Sequence, residues 1–93
     1  MVKSKNFAVD TQVTAKPSKV YGVILSGIGI TAGDYVELSD SASGAGTAII
    51  TLVATAANGS TVFTPSVGID FFDGIYADVD ITGGTMTVTV LYD

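Results

Sequence analysis

The chain has 93 residues, a net charge of −5 and neither cysteine nor histidine. The absence of these residue types excludes disulfides, thiolate metal sites, and the commonest general base and zinc ligand. The acidic balance and the lack of arginine argue against a nucleic acid as partner. The length predicts a single domain.

The mean hydropathy of +0.53 raises the question of a membrane segment. No residue between Asp40 and Asp70 is charged, but the densest apolar run covers only residues 48–57. A spanning helix needs about twenty apolar residues. We expect no signal peptide at the start of the chain, because no continuous apolar run follows the first lysines. We therefore expect no membrane partner.

Residues 1–6 are predicted to form a basic arm that precedes a single domain at 7–93. All four lysines lie in the first nineteen residues, where only Asp10 opposes them, so this segment carries +3 and the remainder −8. The arm is either a frayed, solvated terminus or a segment that lies on an acidic neighbour. The predicted partner-binding residues are the lysines and two aromatic residues: Lys3, Lys5, Phe7, Lys16, Lys19 and Phe72.

Hydrophobic patterning predicts short strands along the whole chain. The first covers residues 7–14 and ends before the turn at Lys16-Pro17-Ser18. The second, at 19–26, is apolar on both faces, and Gly22 within it indicates a bulge or a close backbone approach. The glycine-rich segment 27–34 lacks a following helix, which argues against a phosphate or cofactor cradle. A third strand alternates over 35–39.

The run at 47–55 is rich in β-branched residues and apolar on both faces, which predicts a central strand. The Asn58-Gly59 pair predicts a turn after it. Two shorter strands are expected at 61–64 and 67–72.

The segment from Gly74 to Asp93 carries the clearest pattern. Two runs of strict alternation, residues 75–81 and 86–92, flank a Thr-Gly-Gly-Thr sequence, which predicts a β-hairpin. The threonines at 85, 87 and 89 are expected on its solvent face. Eight short strands with turns of Gly, Asn, Asp and Pro, and no helix, predict an all-β jelly-roll or Greek-key sandwich of antiparallel strands.

Carboxylates are the only candidates for chemistry. Asp70, Asp73, Asp78 and Asp80 fall within eleven residues, and Asp78 and Asp80 share one face of a strand. A solvated face is the favoured interpretation, because calcium needs more oxygens than two aspartates offer. A calcium site stays open as the alternative. Without histidine, no serine or threonine has an activating base. We therefore predict no catalytic residues, no cofactor and no enzymatic activity.

Phe71 and Phe72 are adjacent, so on a strand they point to opposite faces. Either both are buried at the edge of the sandwich, or one is an aromatic anchor at a protein interface.

Several short motifs follow residue 19: Ile24-Leu25-Ser26-Gly27, the Ala32–Leu38 segment, Phe63-Thr64-Pro65, Gly74-Ile75-Tyr76 and the Val88–Tyr92 segment. Together they resemble the motifs of small all-β virion accessory proteins of tailed bacteriophages. The resemblance implies a decoration or cement protein on the capsid exterior, made in the host cytoplasm. It also implies the major capsid protein or a similar virion protein as partner, and a homo-oligomer, with a trimer favoured.

The sequence also leaves a second functional class open. A carbohydrate- or receptor-binding jelly-roll module of a virion fibre needs exposed aromatic rings beside carboxylates. Tyr76 with Asp78, or Tyr35 with Glu37, would supply them.

Overall fold

A computed structural model describes all 93 residues, which form nine strands and no helix. The strands alternate between buried and exposed positions, so each has one face toward a shared core. Their bounds are β1 Lys3–Phe7, β2 Thr11–Thr14, β3 Ser18–Ile28, β4 Tyr35–Asp40, β5 Thr47–Val53, β6 Gly59–Phe63, β7 Ile69–Phe71, β8 Ile75–Asp80 and β9 Thr85–Tyr92.

Two antiparallel sheets pack face to face. Sheet I has the strand order β1-β9-β3-β6, and the short β7 pairs with the beginning of β3 on the same edge as β6. Sheet II has the order β2-β8-β4-β5. In both sheets, strands distant in the sequence are neighbours, which is the order of a jelly roll. The predicted all-β sandwich is confirmed, with nine strands where eight were expected.

The core lies between the sheets and is almost entirely aliphatic. Sheet II contributes alternate residues of β4 and β8, and sheet I contributes the inward faces of β3 and β9. The largest fully buried side chains are Phe71, Leu25, Leu38, Ile75 and Met86. No segment of the chain forms a helix capable of spanning a membrane.

The bulge expected near Gly22 is present in β3. The register with β9 shifts between Val20 and Gly22. A Cβ built at Gly22 would lie 3.2 Å from the Leu91 side chain, so the glycine allows β9 to approach closely.

The predicted C-terminal hairpin is wrong, although both of its strands exist. β8 pairs with β2 and β4 in sheet II, whereas β9 pairs with β1 and β3 in sheet I. The Gly83-Gly84 segment therefore bends the chain from one sheet to the other. Alternation defines which face of a strand is buried, but it does not define the strand's partner, so it could not distinguish these connections.

Two further expectations need correction. The strand expected at 7–14 is two strands in different sheets, β1 and β2, separated by Ala8, Val9 and Asp10. The expected central strand β5 lies at the edge of sheet II, and most of its residues are exposed. Only Ile50 is buried and Leu52 packs partly against the core, while Ile49 and Val53 stay exposed.

Candidate interaction surfaces

The six predicted partner-binding residues separate into three locations. Phe7 is a core residue, 9% exposed, so it is not available to a partner in the folded protein. Lys3 and Lys5 lie on β1, which pairs with β9, so the predicted arm is part of sheet I from Lys3 onward. Lys16, Lys19 and Phe72 lie at one end of the sandwich.

We call that region the β7 end and define it by Lys16, Lys19, Asp70, Phe72 and Asp93. Two backbone hydrogen bonds join Lys19 to Asp93, at 3.0 and 3.3 Å. The Lys19 ammonium lies 3.2 Å from the Asp70 carboxylate, and both groups are about half exposed. An ion pair of this kind adds little stability, because water competes with it.

Phe71 and Phe72 have opposite environments at the β7 end. Phe71 is 1% exposed and fills the core, whereas Phe72 is 72% exposed. Phe72 and Lys19 line an open recess of about 330 Å³, together with Pro17, Ser18, Tyr21, Asp70, Phe71 and Asp93. Of the two interpretations from the sequence, the structure therefore matches the one with a single exposed aromatic residue.

Asp40 holds the backbone around Phe72 in place. Its carboxylate accepts hydrogen bonds from the N–H groups of Asp73 at 2.8 Å and Phe72 at 3.0 Å, with Gly74 more distant at 3.4 Å. The bonds from Asp73 and then Phe72 lower the pKa of Asp40, because they favour the ionised carboxylate. Phe72 thus projects from a braced turn.

A second surface, the acidic face, is the outer side of sheet II. Glu37 on β4 lies opposite Asp78 on β8, and Tyr35 lies opposite Asp80. Asp10 reaches the same region, where it accepts a 2.8 Å hydrogen bond from the Val79 N–H. No lysine forms an ion pair with any of these carboxylates. The acidic face thus carries uncompensated negative charge beside Tyr35 and Tyr76.

Two groups on the acidic face, Asp78 and Tyr35, have raised pKa values. The pKa of Asp78 is raised, first by partial burial and then by the charge of Asp10 and a hydrogen bond to it. The pKa of the Tyr35 phenol is also raised, first by hydrogen bonding to Asp80 and then by the charge of that carboxylate. Burial is thus the first cause for Asp78 and hydrogen bonding the first for Tyr35, and in both the neighbouring carboxylates oppose ionisation further.

The four clustered aspartates do not form one group, because Asp73 lies in the turn between β7 and β8 and the other three divide between the two sheets. Asp70 lies on β7 in sheet I, whereas Asp78 and Asp80 lie on β8 in sheet II. No group of three or more acidic side chains is arranged to hold a metal ion. None of the hydrogen bonds made by serine or threonine hydroxyls reaches a lysine ammonium; the bond from Ser18 ends on the backbone carbonyl of Lys16. The surfaces offer carboxylates, ammonium groups and aromatic rings as binding groups.

The third surface was missed by the sequence interpretation, although its signal is visible there. The segment 41–69 lacks charge, and its strands β5 and β6 form the edges of the two sheets on one side of the sandwich. We call this the β5–β6 side. Its exposed aliphatic residues are Ile49, Val53, Val62 and Val67.

No protein-family model, curated protein or solved structure matches the chain.

Proposed function

We propose that the chain is a non-enzymatic structural protein that binds the outer surface of a viral capsid and stabilises it. The observation that carries the proposal is the exposed Phe72 on a braced turn, beside a recess and close to lysines. A bare aromatic ring on a rigid support is a typical anchor for a protein partner.

The lysines favour an acidic partner surface. Lys3, Lys5 and Lys16 make no ion pair, so their charges are free to meet carboxylates of a neighbour. The acidic face is on the outer side of sheet II, away from Lys19 and Asp70 on sheet I. This arrangement gives an approaching molecule a preferred orientation, because a negative capsid surface would attract the lysines and repel the acidic face.

A capsid would gain stability by mass action. A ligand that binds the assembled state and not its dissociated subunits shifts the equilibrium toward assembly. This role requires a persistent shape and suitable surfaces, and an aliphatic sandwich core supplies the first of these.

Co-sedimentation with capsids assembled from the major capsid protein of the same genome tests the proposal. The wild-type chain should pellet with capsids, and Phe72→Ala should weaken binding by about 10- to 100-fold, as expected for loss of a buried aromatic anchor. Ile28→Ala is the matched control, since Ile28 is 73% exposed but lies at the far end of β3. Absence of wild-type co-sedimentation would refute the proposal.

The acidic face supports a second candidate, a carbohydrate-binding module. Tyr35, Glu37, Asp78 and Asp80 share this face with Tyr76, so rings and carboxylates suited to stacking on sugars and bonding their hydroxyls occur together. A glycan array tests this function. Specific hits that disappear in Tyr76→Ala would favour it, and an array without hits would exclude it.

A further inference from the structure

We propose that the β5–β6 side is a self-association surface, on which β5 pairs antiparallel with β5 of a second copy of this chain. The proposal goes beyond capsid binding and does not depend on it, because it concerns the edge of β5, which does not include Phe72, and requires no capsid.

The backbone of β5 offers the first argument. β5 pairs only with β4, so one row of its N–H and C=O groups has no strand partner. Such an edge is a template for another strand. Proteins usually protect edge strands with charges, proline or bulges. β5 contains neither a charge nor a proline, and its one protective feature is an irregularity at Ile49, the extra residue between the partners of Leu38 and Ser39.

The edge strands on the opposite side of the sandwich are protected against pairing. There the edge strand β1 carries Lys3 and Lys5, and the edge strand β2 is only four residues long with a register shift. Both sides contain an irregular edge strand, but they differ in charge and length: β1 carries two lysines and β2 is short, whereas β5 is an uncharged strand of seven residues.

The apolar side chains give the second argument. A recess of about 260 Å³ opens between the edges of the two sheets, and five of its six lining residues are hydrophobic: Ile49, Ile50, Leu52, Phe63 and Ile69, with Thr51. Ile49 is 45% and Val53 44% exposed. Strand pairing would cover this recess at the same time as it satisfies the free backbone groups.

The net charge of the chain favours a second copy as the partner on this surface. Each chain carries a net charge of −5, so two copies repel unless they meet through a surface that lacks carboxylates. The edge of β5 meets this condition because residues 41–69 have no charge, and the carboxylates on the same sheet lie at least one strand further in, as Glu37 does opposite Thr51. Antiparallel pairing of one strand with itself is also self-complementary, as a twofold contact requires.

The size of the contact predicts a moderate affinity. With seven residues at about 3.3 Å each, the edge of β5 is about 23 Å long. A contact limited to one strand edge and the recess beside it is smaller than a standard interface of about 1,600 Å². We therefore expect a dimer that dissociates on dilution. A twofold contact closes at two copies, in contrast to the trimer implied by the resemblance.

Native mass spectrometry and light scattering over a dilution series test the inference. The concentrated protein should have twice the 9.4 kDa chain mass, and the diluted protein the mass of one chain. Ile49→Lys should shift the midpoint of dissociation to at least tenfold higher concentration, because it places two lysines at the contact. Val9→Lys is the matched control, since Val9 is 70% exposed near the opposite edge, and its midpoint should stay at the wild-type value.

Hydrogen exchange measured on the wild-type chain provides a test that does not depend on whether the variants fold. Amides of β5 should exchange more slowly at high protein concentration, whereas amides of β1 should show no concentration dependence. A single-chain mass at all concentrations, a three-chain mass, or equal effects of Ile49→Lys and Val9→Lys would each overturn the inference. Capsid binding tested through Phe72 is scored separately, so either proposal can fail alone.

Discussion

The carboxylate of Asp34 accepts two hydrogen bonds from Thr82, one from its backbone N–H and one from its hydroxyl, both at 3.3 Å. The same carboxylate accepts the Thr31 N–H at 2.9 Å. Thr82 begins the bend that carries the chain from β8 in sheet II to β9 in sheet I. Asp34, only 7% exposed, therefore fastens the loop before β4 to the crossing between the sheets.

Removal of this carboxylate should destabilise the fold. Asp34→Ala leaves the N–H groups of Thr31 and Thr82 without their acceptor, whereas the Thr82 hydroxyl keeps its 2.9 Å bond to the Thr31 hydroxyl. The free energy of unfolding should therefore fall by about 2–3 kcal/mol. Urea denaturation measures the change. Asp73→Ala is the control, because the Asp73 carboxylate makes no hydrogen bond or ion pair, and it should change stability by less than about 0.5 kcal/mol. Equal losses in the two variants would show that Asp34 does not fasten the crossing.

The two glycines of the same crossing should differ sharply. Gly84 has φ +71° and packs against the backbone of Gly29, whereas a Cβ at Gly83 would have nothing within 4 Å. Gly84→Ala should therefore cost at least about 2 kcal/mol through backbone strain and overlap. Gly83→Ala should change the free energy of unfolding by no more than about 0.5 kcal/mol. Thermal melts of both variants compare these effects, and a tolerated Gly84→Ala would contradict the described path of the crossing.

The adjacent phenylalanines provide a test of the core and of the candidate surface together. Phe71→Ala removes a ring that is 1% exposed, so it should reduce the free energy of unfolding by about 3–5 kcal/mol. Phe72→Ala removes a ring that is 72% exposed and should change stability by less than about 0.5 kcal/mol. Urea titrations of the pair check both values. A large loss of stability in Phe72→Ala would mean that Phe72 serves the fold and is not free for a partner.

The hydrogen bonds to Asp40 predict a contribution to stability that disappears in acid. Because the pKa of Asp40 is lower in the folded protein than in the unfolded chain, its contribution is complete above the unfolded value of about 4. The contribution is then lost as the pH falls through the folded pKa. Asp40→Ala should lower the Tm at pH 7, and the difference from wild type should shrink below about pH 4. A difference that does not vary with pH would exclude this role.

Asp78 should behave in the opposite way. Its folded pKa is raised, so the ionised carboxylate opposes folding, and stability declines as the pH rises from the unfolded value of about 4 through the folded pKa. Asp78→Asn should therefore raise the Tm at pH 7. The gain should diminish in acid and, where repulsion by Asp10 and Glu37 contributes, in about 1 M salt. A Tm at pH 7 equal to or below that of wild type would contradict the crowded carboxylates.

The sequence was sufficient to locate most strands, because alternation of β-branched and polar residues defines a half-buried strand locally. It also placed Asp78 and Asp80 on one exposed face, which Glu37 shares in the structure. The sequence pattern could not predict which strands pair with each other. The Gly83-Gly84 bend carries the chain from one sheet to the other. Contacts with Asp34 and Gly29 hold this crossing in place, and Gly29 is more than fifty residues away in the sequence.

The placement of β5 and Phe7 shows a second limit. The apolar composition of β5 predicted a central strand, but the topology leaves it at an edge, where the same residues become an exposed side. Phe7 was grouped with the lysines as a partner-binding residue, yet pairing of β1 with β9 places it in the core. In both cases the deciding fact is a long-range strand pairing, which local patterns do not encode.

Electron cryomicroscopy of capsids incubated with the chain would test the central claim most directly. The account predicts additional density on the capsid exterior, with the β7 end and Phe72 against the shell and the acidic face toward solvent. Capsids without added density, or a sandwich attached through its acidic face, would contradict it.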